Sequence, residues 1–313
     1  MTQKINDTSQ AISKGGCLKE YWAVRGVKQR RSQFVNWNRK DIDIEALLKK
    51  YHLKGFEFGR YVNNEDRYDF LLATMESLAD MERILKTKNL GIENKIGIAF
   101  GARGRGGSAV AHYEPGLNMI NLTKNKGAHS LAHEYGHALD YTIGSFIDQN
   151  RKYCALSGGR SVARFLEDNT GGTVRLLMRK LIREIKMTQS FARLKGESEY
   201  WHFNTEVFAR YFEQWCCYTL RKAKIENGFV AKTWKSYTIG AAYLTEQDFM
   251  KVLPTGDKLM RNIGFLLNGK KTEAFIELEV TNIEDVKKSK KPAKIKKAAA
   301  QKHMETKSSA RVR

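Results

Sequence analysis

The stretch Ile120 to Asp140, INLTKNKGAHSLAHEYGHALD, places the tightest constraint on what this chain can fold into. A β-branched apolar run at Met119–Thr123 gives way through Lys124-Asn125-Lys126-Gly127 to a helical pattern carrying His133, Glu134 and His137 in the spacing HEYGH. Each helical residue turns about 100°, so positions four apart lie about 40° apart on one face and one turn apart along the axis. Both imidazoles can then point at one ion, as the tetrahedral coordination of Zn²⁺ requires. Glu134 lies beside that face, where its carboxylate can take a proton from a water that the metal acidifies, the role of a general base. Ala132 and Gly136 are small enough for a close packing partner, and Leu131, Tyr135, Ala138 and Leu139 supply apolar surface. The pentad alone is a weak signal, since a histidine on a helix is more often a core or surface residue than a ligand. Its weight comes from the strand-like run before it and from a further carboxylate downstream.

That carboxylate lies in Glu199–Trp215, EYWHFNTEVFARYFEQW. Asn204 or Thr205 can cap a helix whose Val207, Phe208, Tyr211, Phe212 and Trp215 fall at core spacing. Glu206 then sits in the first turn beside those core residues, where a carboxylate costs energy unless it is paired or bound to metal. Glu206 is the candidate third ligand, completing a His₂Glu set. Glu213, two turns along the same face, is its rival, and a glutamate that merely favours the helix N-terminus is the plain alternative. Asp140, one turn after His137, is a candidate to hold an imidazole in its tautomer. His112 or Tyr113, just before the metal helix, are candidates to stabilise an oxyanion.

The rest of the chain bounds these readings. Lys and Arg number 55 against 34 Asp and Glu, a net +21, which invites a nucleic-acid partner. From Val286 to Arg313, however, eleven Lys/Arg face one acid, Glu305, so about half the excess sits in a tail that builds no core. At the other end, residues 20–40 interleave Trp22, Phe34 and Trp37 with six basic residues; such a pattern can stack bases, although rings in a core and charges in water are the commoner origin of it. The four cysteines form no CxxC pair and predict reduced thiols, with Cys216-Cys217 at core positions of a helix. No run of eighteen apolar residues and no apolar leader is present, so neither a membrane span nor a signal peptide is supported and a cytoplasmic address follows by default.

Periodicity predicts a helix from Asp41 as cap through Lys50, another from Arg67 to about Leu85, strands at Ile96–Phe100, Ala109–His112 and Met119–Leu122, and a turn at Glu114-Pro115-Gly116. The metal helix is expected to end at Gly144, followed by helices at Val174–Ile185 and Asp257–Leu267 and a strand at Glu273–Val280. The glycine loop 101–108 is not GxGxxG, and the near P-loop at Gly264–Lys270 has Lys271 where Ser or Thr is required, so neither predicts a nucleotide site. Four segments result: a loosely ordered lead over 1–19, a basic and aromatic helical part over 20–90, a core over 91–282, and a Lys-rich disordered tail over 283–313.

With these residues in view, the chain resembles the first class of large polyvalent-protein-associated domains, zincin-like domains of phage and conjugative-element proteins. The resemblance covers about Gly55 to Trp215 and rests on FEFGRYVNNEDRYDFLLATMESLADM, on the ordered blocks AFGARG, AHYEPG, INLTK and LAHEYGHALD, and on EYWHFNTEVFARYFEQW. It implies an α+β, zincin-like fold in which a small mixed sheet feeds an HExxH helix surrounded by other helices. It also implies a zinc metallopeptidase acting on a peptide or protein substrate, with metal on His133, His137 and Glu206 and catalysis through Glu134. The alternative is a nucleic-acid-associated protein that uses the fold as a scaffold and binds through its basic N-terminal segment and tail.

Overall fold

A four-stranded mixed sheet lies beside two long helices, and the order of its strands puts the HEYGH helix along one edge. The computed structural model describes residues 42–103, 110–147, 154–158, 172–239 and 242–269. The segments expected over 1–19 and 283–313 and the strand expected at 273–280 lie outside them, as do the whole aromatic and basic stretch 20–40 and the core of the glycine loop.

The first helix, α1 (Ile44–Tyr51), is capped by Asp43, whose carboxylate accepts from the Ala46 N–H at 3.0 Å; Asp41, the expected cap, is outside the described residues. Next comes β1 (Phe56–Phe58), which the sequence does not announce because three residues are too few for a period-two pattern. Asn63 caps α2 (Asn64–Leu85) by accepting from the Asp66 N–H. β2 (Gly97–Phe100), β3 (Ala111–Glu114) and β4 (Met119–Leu122) complete the sheet, in the order β1-β2-β4-β3. β1 runs parallel to β2 and β2 to β4, with Ile98 opposite both Phe56 and Ile120, while β3 returns antiparallel to β4 with Tyr113 opposite Ile120. β3 begins two residues later than Ala109 because the hairpin sets its register: Glu114 pairs with Met119, and Pro115, which has no N–H to give, ends the strand.

After eight connecting residues beyond β4, α3 (Leu131–Ile147) starts and packs against β3, β4 and, most extensively, α6. It runs through Gly144, which the sequence suggested as its end. A Cβ at Gly144 would lie 2.3 Å from the Cys154 carbonyl oxygen, so this glycine admits the segment 154–158 against the helix instead of stopping it. α4 (Gly172–Lys186), the short α5 (Gln189–Ala192) and a 3₁₀ turn (Glu199–His202) lead into α6 (Asn204–Lys222). Phe203 stands at the α6 N-cap without a side-chain cap. The Asn204 amide, expected to cap, instead donates to the Ser157 carbonyl at 2.9 Å and accepts from Lys186.

α7 (Trp234–Thr238) and α8 (Glu246–Leu267) close the described chain. α8 begins eleven residues before the expected start at Asp257 and carries Pro254 inside it. Burial of Phe249, Val252, Leu259 and Ile263 continues the helix through a residue that would otherwise break it. Residues 264–267 of the near P-loop form the last turn of α8, where Gly264 lets the helix approach the Leu85 carbonyl. Fold class is therefore α+β, with a four-stranded mixed sheet and eight α-helices among the described residues. No described helix is long and apolar enough to cross a membrane.

Candidate metal centre

The site forms where α3 crosses α6. A Cβ at Gly136 would sit 3.0 Å from the Ala209 Cα and 3.3 Å from the Phe212 Cβ, so the small residue inside HEYGH lets the two backbones meet. Ala209 lies one turn after Glu206 and one turn before Glu213, so the crossing brings both carboxylates to the histidine face of α3.

There the two imidazoles stand 5.0 Å apart at 79°, and the two glutamates take different nitrogens. Glu206 reaches His137 Nε2 at 3.2 Å with one oxygen and His133 Nε2 at 3.6 Å with the other. Glu213 lies 3.3 Å from His133 Nδ1. One donor atom each from His133, His137 and Glu206 lies within 4.8 Å of the others, a group able to hold a metal ion. Two imidazoles and a carboxylate on one small volume are the donor set of a catalytic zinc site, so the residues fit the ion they were expected to bind. Glu213 is on the far side of the His133 ring, where a residue orients a ligand rather than acting as one.

Electrostatics bind the group together. Burial disfavours a charged His133, yet hydrogen bonds to Glu206 and Glu213, with the charges of Glu213 and Glu134, push it up to about 10. Burial likewise opposes the Glu206 charge, but hydrogen bonds from both histidines hold its carboxyl well below the usual range. Glu213 is also held low against its burial, by His133, the Lys232 charge and Tyr237. Glu134 goes the other way: burial raises it, and the imidazoles of His133, His137 and His112 only partly offset that.

His112 is thus within electrostatic range of Glu134, on edge strand β3 and opposite Asn121. Tyr113 has another role: its buried hydroxyl donates to Asn118 at 2.8 Å and shares a contact with Thr142, tying the hairpin to α3, and burial pushes it up to about 12. Asp140 is fully buried, accepts from both the N–H and the hydroxyl of Ser157 at 2.7 Å, and has His137 in its electrostatic range.

Four neighbours went unnoticed in the sequence. Tyr200, half-exposed, hydrogen-bonds Glu206 and feels the Glu134 charge. Arg210 spans from the Glu206 carbonyl to those of Ala242 and Trp201, with its guanidinium 5.0 Å over the Trp201 ring. Tyr237 and Tyr243 both donate to Glu213. Tyr200 and Arg210 lie within the EYWHFNTEVFAR block, a usable signal; nothing in local spacing marks Tyr237 or Tyr243. Cys216 is buried as a core residue and Cys217 reaches the Lys232 carbonyl; neither thiol is among the candidate metal-binding group.

The chain so described is a mixed α+β protein with a candidate His₂-carboxylate metal centre. Residues 192–265 match the model of the family described as large polyvalent protein-associated domain 1, in support of the resemblance read from the sequence. The match includes Tyr200, Glu206, Glu213, Tyr237 and Tyr243, and overlaps the stretch Gly55–Trp215 only over its last residues, so the HEYGH helix lies outside it. No curated protein and no solved structure matches the chain.

Proposed function

We propose that the chain is a zincin-like, zinc-dependent peptidase of a mobile genetic element. The observation that carries this reading is the convergence of His133 Nε2, His137 Nε2 and the Glu206 carboxylate on one volume, with Glu134 next to His133 and its carboxyl raised by burial. A zinc ion held there supplies a Lewis acid that polarises a carbonyl and acidifies water. Glu134 takes the proton of the attacking water on its carboxylate and gives it to the leaving amine; a carboxyl raised by burial is better matched to both transfers than an exposed one. His112 stands near enough to Glu134 to steady charge that develops beside it. β3 is the edge strand next to α3, and its free side can pair with an extended peptide backbone.

The nucleic-acid alternative rests on residues 20–40 and 286–313, outside the described structure, and no described feature favours it. The test is metal analysis of the purified chain beside His133→Ala and Glu206→Ala, together with mass-spectrometric scoring of peptide-library cleavage by the native chain and Glu134→Gln. One zinc per native chain, its loss in both ligand variants, and cleavage abolished with zinc retained in Glu134→Gln are expected. Full zinc occupancy in Glu206→Ala would overturn the ligand set, and unchanged cleavage by Glu134→Gln would overturn the mechanism.

A further inference from the structure

Behind His133 lies a polar cage. Glu213 is 2% exposed, and both of its oxygens are engaged: Tyr237 donates to Oε1 at 2.7 Å and Tyr243 to Oε2 at 2.8 Å. The direction of the first bond is fixed from further out, because the Lys232 backbone N–H donates to the Tyr237 hydroxyl at 2.7 Å and leaves that oxygen its own proton to give away. The two rings stand 4.8 Å apart at 69°, and the Lys232 ammonium lies 5.4 Å from the centre of the Tyr243 ring. With both oxygens accepting from tyrosines, Glu213 is set as an acceptor toward its remaining neighbour. That neighbour is His133 Nδ1, 3.3 Å away, which is the ring nitrogen placed to donate to it.

We infer that Glu213 is a positioning residue: clamped by Tyr237 and Tyr243, it fixes His133 as the Nδ1–H tautomer and leaves Nε2 to bind a divalent cation. The inference rests on His133, His137 and Glu206 being the metal ligands. It follows from which nitrogen faces which carboxylate. In a neutral imidazole one nitrogen donates and the other accepts; Glu213 takes the proton on Nδ1, so the lone pair is on Nε2, the atom beside Glu206 and His137 Nε2. The clamp also explains why Glu213 is not the third ligand, since turning either oxygen toward a metal would break a buried tyrosine hydrogen bond. Two of its parts, Tyr237 and Tyr243, come from the chain beyond α6, so the affinity of the α3 histidines depends on how residues 232–243 seat against that helix.

The test is a zinc competition titration against a chromophoric chelator on the full chain, for the native protein, Glu213→Gln, Tyr237→Phe and Tyr243→Phe. Tyr51→Phe serves as control, because it removes a buried hydroxyl bonded to the Glu82 carboxylate outside the site. Glu213→Gln is expected to weaken zinc about 10- to 100-fold, each clamp tyrosine variant by less, and the control not at all. The His133 ring ¹⁵N resonances of the zinc-loaded chain, expected to report Nε2 bound and Nδ1 protonated, give a readout that a purely structural role would not move. Native affinity in Glu213→Gln, or native resonances for His133 in it, would overturn the proposal. Should that variant fail to fold, Tyr243→Phe, whose ring is only partly buried, decides by the same two readouts. If the native chain holds no zinc, the ligand set itself falls with the clamp; if it holds zinc and the variants hold it equally well, only the clamp falls.

Discussion

The two halves of the candidate metal centre are encoded in different ways. On α3 everything is local: His133, Glu134 and His137 share a face because of helical periodicity, whatever else the chain does. On α6 nothing is decided locally, because Glu206 and Glu213 are two turns apart on the same face and periodicity treats them alike. The interhelical register separates them. The α3–α6 crossing at Gly136 and Ala209 falls between the two glutamates, so one reaches the Nε2 side of the histidines and the other the Nδ1 side. Spacing can thus announce a metal face, but only packing assigns its partners.

The largest effect is expected at the chemical group on the local half. Glu134→Gln keeps the size and the hydrogen-bonding reach of the side chain but cannot hold a proton in transit, so turnover should fall about 10²- to 10⁴-fold with zinc content unchanged. A fall in turnover matched by loss of zinc would instead make Glu134 part of the ligand set and blur the distinction between the halves.

Next in size is damage to the crossing. Gly136→Ala puts a methyl group 3.0 Å from the Ala209 Cα and 3.3 Å from the Phe212 Cβ, so the α6 backbone or the buried Phe212 ring has to move. Overpacking of this kind costs about 1–3 kcal/mol, and because the crossing sets the register, zinc affinity should fall together with the melting temperature. Gly144→Ala on the same helix meets backbone atoms of residues 154–156 from 2.3 Å outward, so it should cost at least as much stability while moving zinc affinity less. Equal losses of zinc affinity in the two variants would mean that the helix as a whole, and not its crossing with α6, positions the site.

The pH response should have opposite signs without and with metal. In the metal-free chain His133 is raised from its usual value to about 10 by Glu206 and Glu213. A raised basic group stabilises the fold in full below its unfolded pKa, and that contribution is lost as pH rises through the folded one. Between about pH 6.5 and 10 the metal-free native chain should therefore lose melting temperature relative to His133→Ala, a comparison in which the groups that do not interact with His133 cancel and the carboxylates that do interact with it titrate at lower pH. Zinc must displace the His133 proton, so its affinity should rise over the same window by up to about tenfold per pH unit. A flat zinc affinity across that window would mean that His133 is already neutral before metal arrives.

Much of the fold was legible because its signals are short-range. α2, β2, β4 and α4 were placed within three residues of their observed ends by apolar periodicity and caps, and the HEYGH helix by its composition. The misplacements share a cause, since each concerns a residue whose local preference a tertiary contact overrides. Pro254 reads as a break, yet core burial on both sides of it continues α8. Gly144 reads as a stop, yet it serves a contact with residues 154–156. Asn204 reads as a cap, yet its amide serves Ser157 and Lys186. Tyr237 and Tyr243 were invisible for a stronger reason: they reach Glu213 from 24 and 30 residues away, across a distance no periodicity spans.

The smallest effect concerns Asp140, and it tests whether the two histidines are supported alike. Burial raises Asp140 to about 6, against the Ser157 hydrogen bonds and the charges of His137 and Arg175. A carboxyl raised in the fold binds its proton more tightly than in the unfolded chain, so its charge subtracts stability as pH climbs from about 4 to about 6 and the deficit persists above. Asp140→Asn removes that deficit while leaving one oxygen for the Ser157 N–H, and the melting temperature should move by no more than about 1 kcal/mol equivalent at neutral pH; Asp140→Ala strands both Ser157 donors and should cost about 1–3 kcal/mol. Because both Asp140 oxygens already serve Ser157, Asp140→Asn should weaken zinc less than Glu213→Gln does. An equal loss in competition titrations would show that His137 leans on its outer carboxylate as much as His133 does on Glu213, and the asymmetry between the two halves would then lie only in how they are encoded.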